Sequence, residues 1–210
     1  MVHLLMSYIL KNLNSMHESV EQFSVGTLEI GGLGAALKAL RLPFGKECRS
    51  AVSFKGSSFI PTFVGEDPGW YFGRHTEGTV LVAEKDVKLL TTLIKRGDEH
   101  AKVLRGVMVW CEINAPLYFW KEMDTYRVGA ERLSSESSMH IEGKGLPEEE
   151  LVEMQETMPM GHMQKRVWMF SYQTLRRIYF QRKNHRLPQW RMFCDWIKTL
   201  PFAEEFITVE

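Results

Sequence analysis

The stretch from residue 86 to residue 140 leaves few folds open to this chain, because it sets a helix, a strand and a second helix in series with almost no loop between them. Asp86 stands as an N-cap ahead of Val87, Leu90, Leu93 and Ile94, which share one helical face, and Gly97 supplies the stop. VLRGVMVWCEI at 103–113 is β-branched and aromatic, as a buried strand requires. Asn114 is placed to cap a further helix that carries Pro116 in its first turn, where a missing N–H costs little, and that runs to about Gly129. Strands mixed with helices, without regular βα alternation, predict an α+β domain.

The flanking sequence extends that pattern. Residues 1–23 read as a terminal helical segment with Leu4, Leu5, Ile9 and Leu10 on an apolar face. TLEIGG at 27–32 alternates like a short strand, and LGAALKALRL at 33–42 follows as a helix that Pro43 ends. The Gly-Gly-Leu-Gly run lacks the rest of a dinucleotide fingerprint and its downstream acid. Residues 45–77, rich in Gly, Ser, Pro and aromatic residues, read as an ordered irregular region, and TVLVAEK at 79–85 as a strand. Residues 134–147 form a Ser- and Gly-containing loop, and Pro147 opens an acidic helix whose carboxylates suit the N-terminal dipole. Trp168, Tyr172, Leu175 and Tyr179 predict a long helix from Lys165 to about Lys183, and after Pro188 a last helix ends before Pro201.

With 210 residues, 44% of them hydrophobic, the chain buries roughly two-thirds of its unfolded surface and folds as one domain without a disulfide or metal. Lys plus Arg and Asp plus Glu both number 26, a balance that excludes coating nucleic acid by bulk charge. The charge is nonetheless segregated. Residues 131–156 hold eight carboxylates against Arg132 and Lys144, and residues 165–198 hold nine Lys or Arg against Asp195 alone, so the basic segment is available for phosphate. Cys48, Cys111 and Cys194 are far apart with no C-x-x-C pair, which fits a reducing cytoplasm. No signal peptide and no membrane span are expected, because the apolar start has no basic residues before it and no run approaches 18 apolar residues. His140, His162 and His185 lack ligand spacing, so no metal is expected.

The order of helix, Gly stop, strand, Ala115-Pro116 pair, cationic helix and Ser/Glu loop resembles the core of the flavin-dependent thymidylate synthases, over about residues 26–42 and 79–196. The family's Arg-His-Arg triplet falls on Thr125, Tyr126 and Arg127, of which the last Arg matches. The Gln three residues earlier is Glu122, and a Ser seven residues beyond the triplet is Ser135. The family's Ala-Gln pair is Pro188-Gln189, and the base-contacting Arg five residues before it falls on Lys183, beside Arg182. The Glu-His pair that enters the strand in the family is Arg105-Gly106 in this chain.

The resemblance implies a single α+β domain with a mostly antiparallel sheet flanked by helices, its core at 26–199, in a diverged bacterial or phage-encoded member. It also implies transfer of one carbon to C5 of a pyrimidine deoxynucleotide, with FAD, methylene-tetrahydrofolate and NADPH, in a homotetramer whose sites lie between subunits. On that basis Glu122, Arg127, Ser135, Glu136 and Ser137 would hold the nucleotide, with Glu122 allowing a changed base. Arg182 or Lys183 would polarise the base, stabilising enolate charge that develops as C5 attacks a carbon electrophile. Tyr126, His185 and Gln189 would lie near the flavin. The alternative is a catalytically inactive relative that binds nucleotide or single-stranded nucleic acid through the basic 165–191 surface.

Overall fold

The computed structural model describes residues 20–46, 51–54, 70–75 and 78–210. Most of the N-terminal helical segment expected at 1–23 lies outside these residues. Four strands form the central sheet in the order β1-β5-β7-β6, every pair antiparallel: β1 is Ser24–Gly31, β5 Met108–Pro116, β6 Ala130–Ser135 and β7 Met163–Ser171. Between β1 and β5 the chain forms α1 (Leu33–Arg41), the short strands β2 (Ala51–Phe54), β3 (Trp70–His75) and β4 (Gly78–Ala83), and α2 (Glu84–Arg96). The three short strands pair antiparallel in the order β2-β4-β3, so two pieces of the segment read as irregular are sheet. After β5 come α3 (Leu117–Met123), α4 (Ser138–Ile141) and α5 (Glu148–Thr157), and after β7 come α6 (Tyr172–Arg182) and α7 (Pro188–Lys198). The expected α+β architecture, an antiparallel sheet flanked by helices, is the observed one.

The core lies on one face of the two middle strands. Val109, Cys111 and Ile113 of β5 are fully buried and stand opposite Phe170, Trp168 and Arg166 of β7 in register. Against them pack Phe119 and Trp120 of α3 and Trp190 and Phe193 of α7; the Trp120 and Trp168 rings lie 6.4 Å apart at 4°, and Phe119 and Trp190 lie 4.5 Å apart. Gly32, at φ 81, opens α1, and a Cβ there would stand 1.8 Å from the Gly106 carbonyl oxygen. Close approach of two backbones accounts for that glycine without a phosphate.

Several boundaries differ from the sequence reading. Asp86 does not cap α2; it sits fully buried in the first turn, 2.5 Å from the Arg41 guanidinium. The segment Lys102–Gly106 is a 3-10 turn, and the strand it was expected to begin runs instead from Met108 through Asn114 to Pro116. Asn114 therefore caps no helix: its side-chain N–H donates to the Gln22 carbonyl at 3.0 Å. The helix after it ends at Met123, not near Gly129, where the Thr125 hydroxyl takes the Glu122 carbonyl at 2.7 Å. Part of the expected Ser-rich loop is β6 and α4.

The largest correction is at 163–171. This segment is β7 and not the start of a long helix, because its backbone is hydrogen-bonded on both sides, to β5 and to β6. The helix begins only at Tyr172, where the Ser171 hydroxyl accepts the Thr174 N–H at 3.2 Å. Pro147 before the acidic helix and Pro188 at the start of α7 stand as expected.

Candidate functional site

A turn between α3 and β6 brings the arginines together. Residues 124–129 leave α3 and fold back onto the first turns of α6, where the Thr174 hydroxyl donates to the Val128 carbonyl at 2.7 Å, Arg177 Nη2 donates to the same carbonyl at 3.0 Å, and the Ser171 N–H donates to Gly129 at 2.7 Å. The fit requires glycine. Gly129 has φ 71, and a Cβ on it would lie 2.5 Å from Thr174 Oγ1 and 2.6 Å from Ser171 Oγ. This docking sets Arg127 at the mouth of a cleft of about 320 Å³ whose lining includes Tyr126, Arg127, Arg177, Gln181 and Arg182. Among the described residues, three guanidinium groups line that cleft and no carboxylate does.

Arg182 is the hub. Its Nε donates to the Tyr126 hydroxyl at 2.8 Å, and that hydroxyl donates in turn to Gln181 Oε1 at 2.9 Å. Its Nη1 donates to Glu122 Oε2 at 2.6 Å and lies 2.9 Å from His185 Nε2. The guanidinium stacks over the Trp190 ring, 4.5 Å from its centroid, while Trp190 Nε1 donates to the same Glu122 oxygen at 2.9 Å. His185 Nδ1 faces the Leu187 N–H at 3.2 Å. A neutral imidazole accepts at one ring nitrogen only, so the ring either accepts from Arg182 or turns an Nε2–H toward Glu122, 3.5 Å away.

The remaining sequence-predicted residues are spread over neighbouring elements. Lys183 leaves α6 in another direction, pairs with Glu210 at 2.9 Å and lies 4.8 Å from the Phe180 ring centroid. Ser135 ends β6 opposite Arg166, exposed, and Glu136 Oε2 accepts the Lys165 N–H at 2.7 Å. The Ser137 hydroxyl is 2.8 Å from His140 Nδ1. Gln189 is fully buried; its Nε2 donates to the Tyr118 hydroxyl at 2.5 Å, and its Oε1 has no partner among the described residues. Glu122, Tyr126, Arg182 and His185 are thus assembled into one network, and Arg127 lines the same cleft as Tyr126 and Arg182.

The same fold occurs in proteins of known structure. This chain is similar to the flavin-dependent thymidylate synthase ThyX from Helicobacter pylori, solved with FAD and dUMP, at a TM-score of 0.56 and 14% identity over 88% of this chain and 97% of that one. A second structure of ThyX from that organism, also with FAD and dUMP, matches at the same TM-score and identity and is covered over 96% of its length. No family model and no curated protein sequence matches the chain. The similarity establishes the fold.

Arg177 and Gln181 belong to the cleft although no motif points to them. Their spacing of four places both on one face of α6, the only signal the sequence offers for them. The three histidines go separate ways: His162 pairs with Glu142 at 3.1 Å, His140 with Ser137, and His185 with the Arg182 network. Among the described residues no three His, Cys, Asp or Glu side chains gather as a metal site, and no helix is long and apolar enough to cross a membrane.

Proposed function

We propose that this chain binds a pyrimidine deoxynucleotide in the arginine cleft and transfers a one-carbon unit to C5 of its base, in the manner of the flavin-dependent thymidylate synthases. The observation that carries the reading is the cleft lined by Arg127, Arg177 and Arg182 with no carboxylate among the described residues, formed where the turn after α3 meets α6. Exposed Arg127 and Arg177 present fork-shaped donors that suit phosphate oxygens, whether of the nucleotide or of FAD. The donor set therefore fits a phosphate-bearing ligand, and about 320 Å³ accommodates part of a dinucleotide within one chain. A reduced flavin held there would supply the hydride that completes the transferred methyl group, with methylene-tetrahydrofolate as carbon donor and NADPH as reductant.

The chain's own groups would act as follows. Arg127 and Arg177 neutralise phosphate charge. Arg182 donates to a carbonyl oxygen of the base and stabilises the enolate as C5 attacks. Glu136 accepts the Lys165 N–H through Oε2, which leaves Oε1 to accept from a ribose hydroxyl or base N–H, and the exposed Ser135 hydroxyl donates nearby. Ser137 supplies a further hydroxyl, and Lys183 a second cation once its exposed pair with Glu210 opens. Tyr126 and His185 would lie on the flavin side, Gln189, fully buried, would act there only by holding the Tyr118 hydroxyl, and a homotetramer would complete the site between subunits.

The test is the visible absorbance of the purified protein, followed by release of tritium from C5-labelled dUMP with added FAD, methylene-tetrahydrofolate and NADPH. A flavin spectrum with tritium release is expected. A colourless protein that takes up no FAD and releases no tritium would remove the enzyme reading.

The second reading, a binder without turnover, draws on the Glu122–Arg182 ion pair, which offsets the cation that catalysis would use. Salt dependence separates the two. A protein tracking single-stranded nucleic acid loses affinity steeply with salt, whereas a mononucleotide site with one or two phosphate contacts changes little.

A further inference from the structure

Arg182 is fixed by partners that belong to the core. Trp190 is fully buried, packed against Phe119 at 4.5 Å and Phe193 at 5.9 Å, so its indole N–H is a fixed point. That N–H holds Glu122 Oε2, and the same oxygen holds Arg182 Nη1 at 2.6 Å. Buried Tyr126 takes Nε, and the Trp190 face supports the guanidinium plane. Every contact on Arg182 is thus made through Nε, Nη1 or the ring face, and Nη2 has no partner among the described residues.

We infer that Glu122 is a positioning residue: anchored by Trp190, it turns Arg182 so that Nη2 alone is offered to a ligand. A guanidinium held in this way has one member of each two-nitrogen edge, Nε–Nη2 and Nη1–Nη2, already occupied, so it cannot grip a phosphate as a fork and donates from Nη2 alone. Arg182 then reads a single carbonyl oxygen of a nucleobase, and Arg127 and Arg177, exposed and without carboxylate partners among the described residues, take the phosphate. This division of labour rests on the nucleotide reading above. The anchoring of Arg182 by Glu122 does not.

The test uses two ligands and one spectrum. Glu122→Gln and Glu122→Ala are titrated calorimetrically with dUMP and with deoxyribose 5-phosphate, which keeps the phosphate and lacks the base. Losing the orientation of one charged donor should weaken dUMP about tenfold, while deoxyribose 5-phosphate stays within about twofold of wild type. Equal weakening of both ligands would mean that Glu122 merely supports the fold, and would overturn the inference. The Arg182 Nε–Hε signal in a nitrogen–proton NMR spectrum, assigned by its loss in Arg182→Lys, is the second measurement. It should report a rigid side chain in the wild type and an averaged one in Glu122→Ala; a signal equally rigid in both overturns the inference. If the wild type binds neither ligand, the nucleotide reading falls, and this signal still decides whether Glu122 fixes Arg182.

Discussion

Gly129 shows how much of the site depends on single residues. Its positive φ and the hydroxyls 2.5 and 2.6 Å from a notional Cβ predict that Gly129→Ala costs about 2–4 kcal/mol, measured by urea unfolding, because strain and overpacking act together. Arg127 contrasts with it. Its one contact within the described residues is a long 3.4 Å bond to the Asp124 carbonyl on an exposed turn. Arg127→Ala should therefore leave stability within about 0.5 kcal/mol while weakening dUMP roughly tenfold, an outcome that calorimetry and unfolding together would establish. The resemblance to the flavin-dependent thymidylate synthases pointed to Glu122, Tyr126 and Arg127 by their offset from Ala115-Pro116, to Lys183 with Arg182 beside it by offset from Pro188-Gln189, and to His185 as a residue near the flavin. It could not single out Arg177, whose role comes from the Val128 carbonyl across a turn, 49 residues away in the chain.

At the scale of elements, the boundary at Ser171 separates β7 from α6 and orients every cleft residue that α6 carries. Ser171→Ala removes the hydroxyl that accepts the Thr174 N–H and should cost about 1–2 kcal/mol, read from the urea midpoint. The sequence reading placed the helix start at Lys165 because Trp168, Tyr172, Leu175 and Tyr179 keep a helical period. Yet Arg166, Trp168 and Phe170 also alternate at a period of two, and both patterns are present at once. Pairing with β5 and β6 decides between them, since it satisfies the backbone of 163–171 on both edges. By contrast, α1, α5 and α7 were legible because Pro43, Pro147 and Pro188 mark their ends locally.

Across the whole molecule, the two described cysteines are sealed in the core. Burial raises the Cys111 thiol far above its ordinary 9.0 and pushes Cys194 up to about 12, and burial also raises the Tyr172 hydroxyl above 10.0. The folded state therefore keeps protons that the unfolded chain releases as pH rises past 9.0, so this stabilisation is complete below that value and is lost progressively toward 12. Unfolding free energies from urea titrations at pH 8, 9 and 10 should fall only above about 9, by up to roughly 1.4 kcal/mol per pH unit for each thiol. A thiol reagent at pH 8 should accordingly leave Cys111 and Cys194 unlabelled until the protein is denatured.

Resemblance to the flavin-dependent thymidylate synthases implied the antiparallel sheet flanked by helices, and the sequence alone determined the mixed α+β class, the helices punctuated by proline, and the segregation of charge that leaves the α6–α7 region basic. These follow from local periodicity and composition, which a linear chain displays directly. Only the tertiary structure decided that 163–171 is a strand, that Arg177 and Gln181 join the cleft, that Lys183 leaves toward Glu210, and that Glu122 and Trp190 hold Arg182. Those outcomes depend on partners 27 to 68 residues away, and backbone pairing and charge neutralisation act on distance in space, for which sequence position carries no measure.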